Sequence, residues 1–137
     1  MSGAKKDLLK FKGFAEDNDY VLSAKKFVPY PKKFQDKDKT GFFKPGGRDW
    51  CEKNWGTKWG MYETNLDFKS ETKLLYTFLS AWTPPIPIIE KMSKLFPTLE
   101  FELKYFEQDL EFKGVFKIKN SKIIIDKESA YHGKRGG

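Results

Sequence analysis

Few residues in this chain have the types that do covalent chemistry, and they stand far apart. Cys51 is the one cysteine and His132 the one histidine. A thiolate nucleophile needs a base such as imidazole close by, and these two residues lie in distant parts of the sequence. Tetrahedral metal sites need clustered Cys and His, which the sequence lacks. The carboxylates are scattered, with no spacing that pairs them for acid–base work. "KPGG", residues 44–47, is not followed by Lys-Ser or Lys-Thr, so it does not read as a phosphate-binding loop. The expectation is a protein that is not an enzyme, with no catalytic residue, metal or cofactor. Cys51 reads as a buried structural residue.

Binding chemistry remains. The chain has 26 basic and 19 acidic residues, a net charge of +7. Before residue 48 there are eleven lysines against six acidic residues, and the rest of the chain is near balance. Clustered positive charge suits an anionic partner, either nucleic acid or an acidic protein surface. Arginine, the bidentate reader of bases and phosphates, occurs only as Arg48 and Arg135, which argues against sequence-specific DNA recognition. In the same basic third, "QDKDKTGFFKPGG" reads as an exposed loop carrying Phe42 and Phe43. A charged rim around an apolar anchor is interface anatomy. The candidate partner-binding set is therefore Lys25, Lys26, Lys32, Lys33, Lys37, Lys39, Phe42, Phe43, Lys44, Arg48 and Lys58. The alternative is a solvated lysine surface with the two phenylalanines tucked onto the core.

"RDWCEKNWGTKWGMYE", residues 48–63, holds Trp50, Trp55 and Trp59. Three tryptophans so close could stack bases or anchor a protein. They could equally pin an irregular segment onto the core. Spacings of five and four do not hold all three on one helix face, and Asn54, Gly56 and Thr57 are turn formers. The structural reading is expected, with Lys58 left exposed.

The elements that must position these residues fit one domain over residues 1–130, followed by a flexible tail over 131–137. Aromatic residues make up 17% of the chain, so the core should be rich in rings. No apolar run is long enough to span a membrane and no leader is evident; the expectation is a soluble cytoplasmic protein. "LLKFKGF" reads as a first strand with Leu9, Phe11 and Gly13 on one side. Asp17 or Asp19 would cap a helix running to about Lys26. Asp49 would cap another through Lys53, and Gly56 would end it. Residues 72–82 read as a central strand covered on both faces. Pro85 or Pro87 starts an amphipathic helix with Ile88 or Ile89, Met92, Leu95 and Phe96 inward. "LEFELKYF" and "LEFKGVFKI" alternate cleanly as a hairpin, and "IIID" follows as a last strand. The sum is an α+β fold, one antiparallel sheet packed on two helices.

The motifs "FVPYPKKF", "WCEKNWGTKW" and "FLSAWTPPIPIIEKMSKLFPTLEFELKYFEQDLEFKG" follow one another in an order and spacing that resembles the YubB-type ferredoxin-like domain family. The matching features are Pro29 and Pro31, Asn54–Trp59, and Ala81–Trp82 with Pro84–Pro85. The resemblance covers roughly Val28 to Gly114. It implies a ferredoxin-like fold and carriage by plasmids, phages and prophages. It brings no catalytic or binding residues. The first strand and helix are shorter than the family pattern.

The functional expectation is a non-enzymatic phage or plasmid accessory protein. It would bind a host protein or ribonucleoprotein complex and inhibit a nucleic-acid-targeting defence system of the anti-restriction or anti-CRISPR type. The alternative is a single-stranded nucleic-acid-binding module. For that role an open sheet face carrying Glu100, Glu102 and Glu111 among Lys104, Lys113 and Lys117 reads as a poor platform, because carboxylates repel phosphates.

Overall fold

The computed structural model describes residues 1–31, 45–57, 61–80, 83–107 and 112–130. Among the described residues four helices and five strands run in the order α1 (Lys5–Ala15), α2 (Ala24–Phe27), α3 (Pro45–Asn54), β1 (Tyr62–Lys69), β2 (Leu74–Leu79), α4 (Ile86–Leu95), β3 (Glu100–Glu107), β4 (Phe112–Lys119), β5 (Lys122–Ala130). The α+β expectation holds. The expected tail, residues 131–137, lies outside the described residues, as does the tip of the hairpin between β3 and β4.

The sheet is not continuous as expected. β1 and β2 form one antiparallel pair, and β3, β4 and β5 form a second antiparallel sheet. Ser2 joins the two, with isolated antiparallel bridges to Lys73 and to Glu100. The main chains of Ser2 and Glu100 exchange both N–H···O bonds at 2.9 Å. On the other side Leu74 N–H donates to Met1 O at 3.0 Å, and Gly3 N–H to Thr72 O at 3.1 Å. Residues 1–3 thus lie between β2 and β3 as a short central strand. β2 and β3, connected through α4, run in the same direction on either side of it. The lateral order is β1, β2, residues 1–3, β3, β4, β5.

The first strand is therefore not Leu8–Phe14. That segment is the second and third turn of α1. Leu8, Phe11 and Ala15 are buried at helical spacing, whereas Leu9 is 48% exposed. Alternation of Leu9, Phe11 and Gly13 mimicked a strand only because Gly13 counted as inward; nothing lies within 4 Å of where its Cβ would be. The expected helix up to Lys26 is instead a turn followed by the short α2. Asp17 accepts the amides of Asp19 and Tyr20 at 2.8 and 2.7 Å, an Asx turn rather than a cap. Burying α1 sets Phe11 at the centre of a ring cluster. Its centroid lies 5.4 Å from Phe27, 6.0 Å from Tyr76, 5.2 Å from Phe96 and 5.6 Å from Phe101. One side chain so links α2, β2, the end of α4 and β3.

From α4 onward the chain follows expectation closely; β2, expected to be covered on both faces, leaves Leu75 45% exposed and so is covered on one. Pro85 is the N-cap of α4 and Pro87 sits in its first turn, where no amide is needed. Ile88, Ile89 and Met92 are buried, but Leu95 is 43% exposed and not part of the core. Phe101 and Leu103 pair with Ile118 and Phe116 across the β3–β4 ladder on the covered face. Tyr105 lies over Gly114, and a Cβ there would collide with its ring. Asn120 and Ser121, both at positive φ, make the two-residue turn into β5.

Tyr76 brings a cost with it. Its hydroxyl is buried without a hydrogen-bond partner, the only such side-chain atom among the described residues. Burial, with the Glu16 charge adding to it, pushes the phenol up to about 12.

Two measurements check this core. Leu8→Ala should cost about 2–5 kcal/mol in denaturant unfolding and Leu9→Ala less than about 1 kcal/mol; a strand over Leu8–Phe14 would reverse the order. The raised Tyr76 pKa makes the unfolded chain ionise first. Stability should therefore be intact below pH 10 and fall as pH rises from there through about 12. Tyr76→Phe should raise stability by about 1 kcal/mol and flatten that fall in thermal unfolding. Tyr105, whose phenol burial and Glu128 also hold up, leaves a residual slope.

Candidate interaction surface

Of the tryptophans in the aromatic stretch, Trp50 and Trp55 are described and Trp59 lies outside the described residues. α3 begins at Pro45, before the expected cap Asp49, and ends at Asn54, whose side-chain amide donates to Trp50 O at 3.0 Å. Trp50 and Trp55 meet edge to face at 5.2 Å, and Tyr30 packs on both. The indole N–H of Trp55 donates to Val28 O at 2.9 Å. Gly56 then turns with φ 77°. A Cβ on it would lie 2.5 Å from Pro87 Cδ and 3.3 Å from Pro84 O, so only glycine fits on both counts. Thr83 Oγ1–H donates to Gly56 O. The "NWG" and "TPP" motifs, far apart in sequence, thus close on each other. Trp55 and Cys51 are buried. Tyr30 is buried as well and Trp50 is half-buried, so these aromatics hold the chain together.

The basic set divides differently. Lys32, Lys33, Lys37, Lys39, Phe42, Phe43, Lys44 and Lys58 lie outside the described residues, and Arg48 lies on α3. Lys25 and Lys26 are exposed on α2. Lys26 Nζ stands 5.5 Å from the centroid of Phe14, a cation–π contact. Phe14 is 38% exposed. Its inner side meets Phe27 at 5.3 Å and Phe96 at 5.7 Å. Exposed Lys10 lies on the same side of α1, one turn away. The result is an aromatic anchor, firmly backed by the core and rimmed by lysines. Sequence reasoning missed Phe14 because it placed it in a strand. A helical reading puts Lys10 and Phe14 one turn apart.

A second surface is the uncovered face of the three-stranded sheet. The ladder places Phe106 beside Lys113, Lys104 beside Val115 and Lys127, and Glu102 beside Lys117 and Ile125. Glu100 faces Lys119. Glu102 is held by Lys117 at 3.6 Å and Lys104 at 3.9 Å. Lysines outnumber carboxylates here, and Glu102 is charge-compensated; Glu111 lies outside the described residues. The face is more cationic than its sequence suggested.

Among the described residues no group of His, Cys, Asp or Glu could hold a metal ion, and no helix is long and apolar enough to cross a membrane. No curated protein and no solved structure matches the chain. A family model described as a ferredoxin-like domain in Api92-like protein matches residues 50–134. The match takes in the Trp–Gly–Pro closure and all five strands, and leaves α1 and α2 outside it. It covers more than half of the chain, and the strand order on either side of residues 1–3 fits the fold it names. The chain belongs to the family of ferredoxin-like domains in Api92-like proteins.

Proposed function

We propose that this is a non-enzymatic accessory protein of the YubB type, carried by a phage or plasmid. In this reading it binds a protein complex in the host cytoplasm and blocks a nucleic-acid-targeting defence system of the anti-restriction or anti-CRISPR type. The observation that carries it is the Phe14–Lys26 surface. Phe14 is half open yet fixed by two rings behind it, so ordering it on binding costs little entropy. Lys10, Lys25 and Lys26 supply a rim for an acidic partner surface, where complementary charge speeds encounter and selects partners. The mobile-element setting rests on the sequence resemblance.

The uncovered face of β3–β5 favours a second reading, a single-stranded nucleic-acid-binding module. Phe106 supplies a ring for a base, and Lys104, Lys113, Lys117, Lys119 and Lys127 suit phosphates.

One capture experiment separates the two. Tagged protein is exposed to host lysate, with and without nuclease, beside an unrelated basic protein. A defined protein complex should be enriched over that control, survive nuclease, and fall by about tenfold or more with the double substitution Lys25→Glu and Lys26→Glu. No enrichment, or capture indifferent to both charges, contradicts the first reading. Capture that vanishes with nuclease and weakens steeply with salt transfers the function to the sheet face.

A further inference from the structure

A cleft lies where the end of α3 meets α4, apart from both surfaces described above. Ile88, Ile89 and Met92 turn into the core from one face of α4. Pro87, Glu90, Lys91 and Lys94 lie three and four residues apart along the same helix, so they form a neighbouring stripe. That stripe lines the cleft. Lys53, in the last turn of α3, belongs to the same lining, as do Val28 and the buried Ile118 of β4. The walls are held in place. Gly56 abuts Pro87 and so ties the end of α3 to the start of α4. Trp55 holds the main chain at Val28. The turn between β4 and β5 is clamped to α4, because Ser121 N–H donates to the buried Ser93 Oγ at 2.9 Å.

The cleft measures about 450 Å³, in the range of small-molecule sites. Its charge is one-sided. Lys53, Lys91 and Lys94 line it against one carboxylate, Glu90, which leaves two positive charges in excess. None of these three lysines is in an ion pair among the described residues, whereas Lys5, Lys104 and Lys117 each have a carboxylate partner. Like charges gathered round one cleft repel one another, and an anion among them removes that cost. Val28, Pro87 and Ile118 add an apolar side, which a bare inorganic anion leaves unused.

We infer that this cleft binds a small organic polyphosphate of the nucleoside diphosphate kind. The phosphates sit among Lys53, Lys91 and Lys94, and at least two negative charges are needed to balance the excess. The flat apolar body of the ligand lies against Val28, Pro87 and Ile118. Lysines hold phosphate as point charges and do not fix its orientation as an arginine fork would. The site therefore selects charge and size, and discriminates weakly among bases. Because the walls are already set, binding orders only the lysine side chains. The role is ligand binding without a reaction. It stands apart from the Phe14–Lys26 surface and from the open face of β3–β5, and its test needs no host complex.

The probe is adenosine diphosphate, titrated into the intact protein without metal and followed by amide shifts in nuclear magnetic resonance. Inorganic pyrophosphate and adenosine serve as the two halves of the ligand. Adenosine diphosphate should give saturable shifts gathered at Lys53, Lys91, Lys94 and Ser121. Each half should bind the same place about tenfold or more weakly, since each lacks part of the contacts. The double substitution Lys91→Glu and Lys94→Glu should lower the affinity for adenosine diphosphate by about tenfold or more and leave the unfolding midpoint unchanged. The same change of charge by Lys6→Glu and Lys69→Glu, at exposed positions on other surfaces, should leave that affinity within about twofold. The inference is overturned if adenosine diphosphate gives no saturable shift, or if shifts spread over lysines of the whole surface. It is also overturned if pyrophosphate binds as tightly as the nucleotide, which would mean an adventitious ion only, or if the Lys91 and Lys94 substitutions leave binding unchanged.

Discussion

Five main-chain hydrogen bonds around residues 1–3, the Met1 nitrogen to Leu74 O among them, decide how the molecule is assembled. Without Ser2 and Gly3 between them, β2 and β3 belong to separate sheets, and each pair of ladders would be a small ribbon with little core of its own. The short strand also sets where α1 begins. Lys5 starts the helix almost at once, which turns Leu8, Phe11 and Ala15 toward the sheets. Phe11 then reaches rings from four other segments. A main-chain splint thus fixes the entry of the helix, and the helix fixes the aromatic core.

The aromatic stretch at residues 50–56 works by the same economy. Trp55 bonds the backbone before the basic loop, and Gly56 abuts the prolines that start α4. The most conspicuous residues of the sequence are spent on closing the fold. The surface proposed above for binding lies elsewhere, where the Phe14 ring stays open beside Lys26.

Much of the second half was legible because its pattern is strong. Pro85 and Pro87 mark a helix start by their missing amides, and Phe101, Leu103, Phe116 and Ile118 show period two over many residues. The first half was harder. A strand of three residues has no periodicity to detect, so residues 1–3 gave no signal. Leu8–Phe14 carries apolar residues that satisfy both periods, and only packing against Phe27 and Phe96 chooses the helix. The face of β3–β5 was misjudged for a related reason. Lys127 joins it only because β5 extends to Ala130, well past the apolar "IIID", and Glu102 is neutralised by neighbours known only from the register. Phe42, Phe43 and most of the candidate lysines fall outside the described residues, so the loop reading stands as a sequence argument alone.

The assembly by residues 1–3 is most directly tested by nuclear magnetic resonance of the intact chain. Cross-strand contacts from Ser2 to both Lys73 and Glu100, with slowly exchanging amides at Ser2, Glu100 and Leu74, are the predicted result. Contacts from Ser2 to neither strand, or a rapidly exchanging Glu100 amide in an otherwise folded protein, would contradict it.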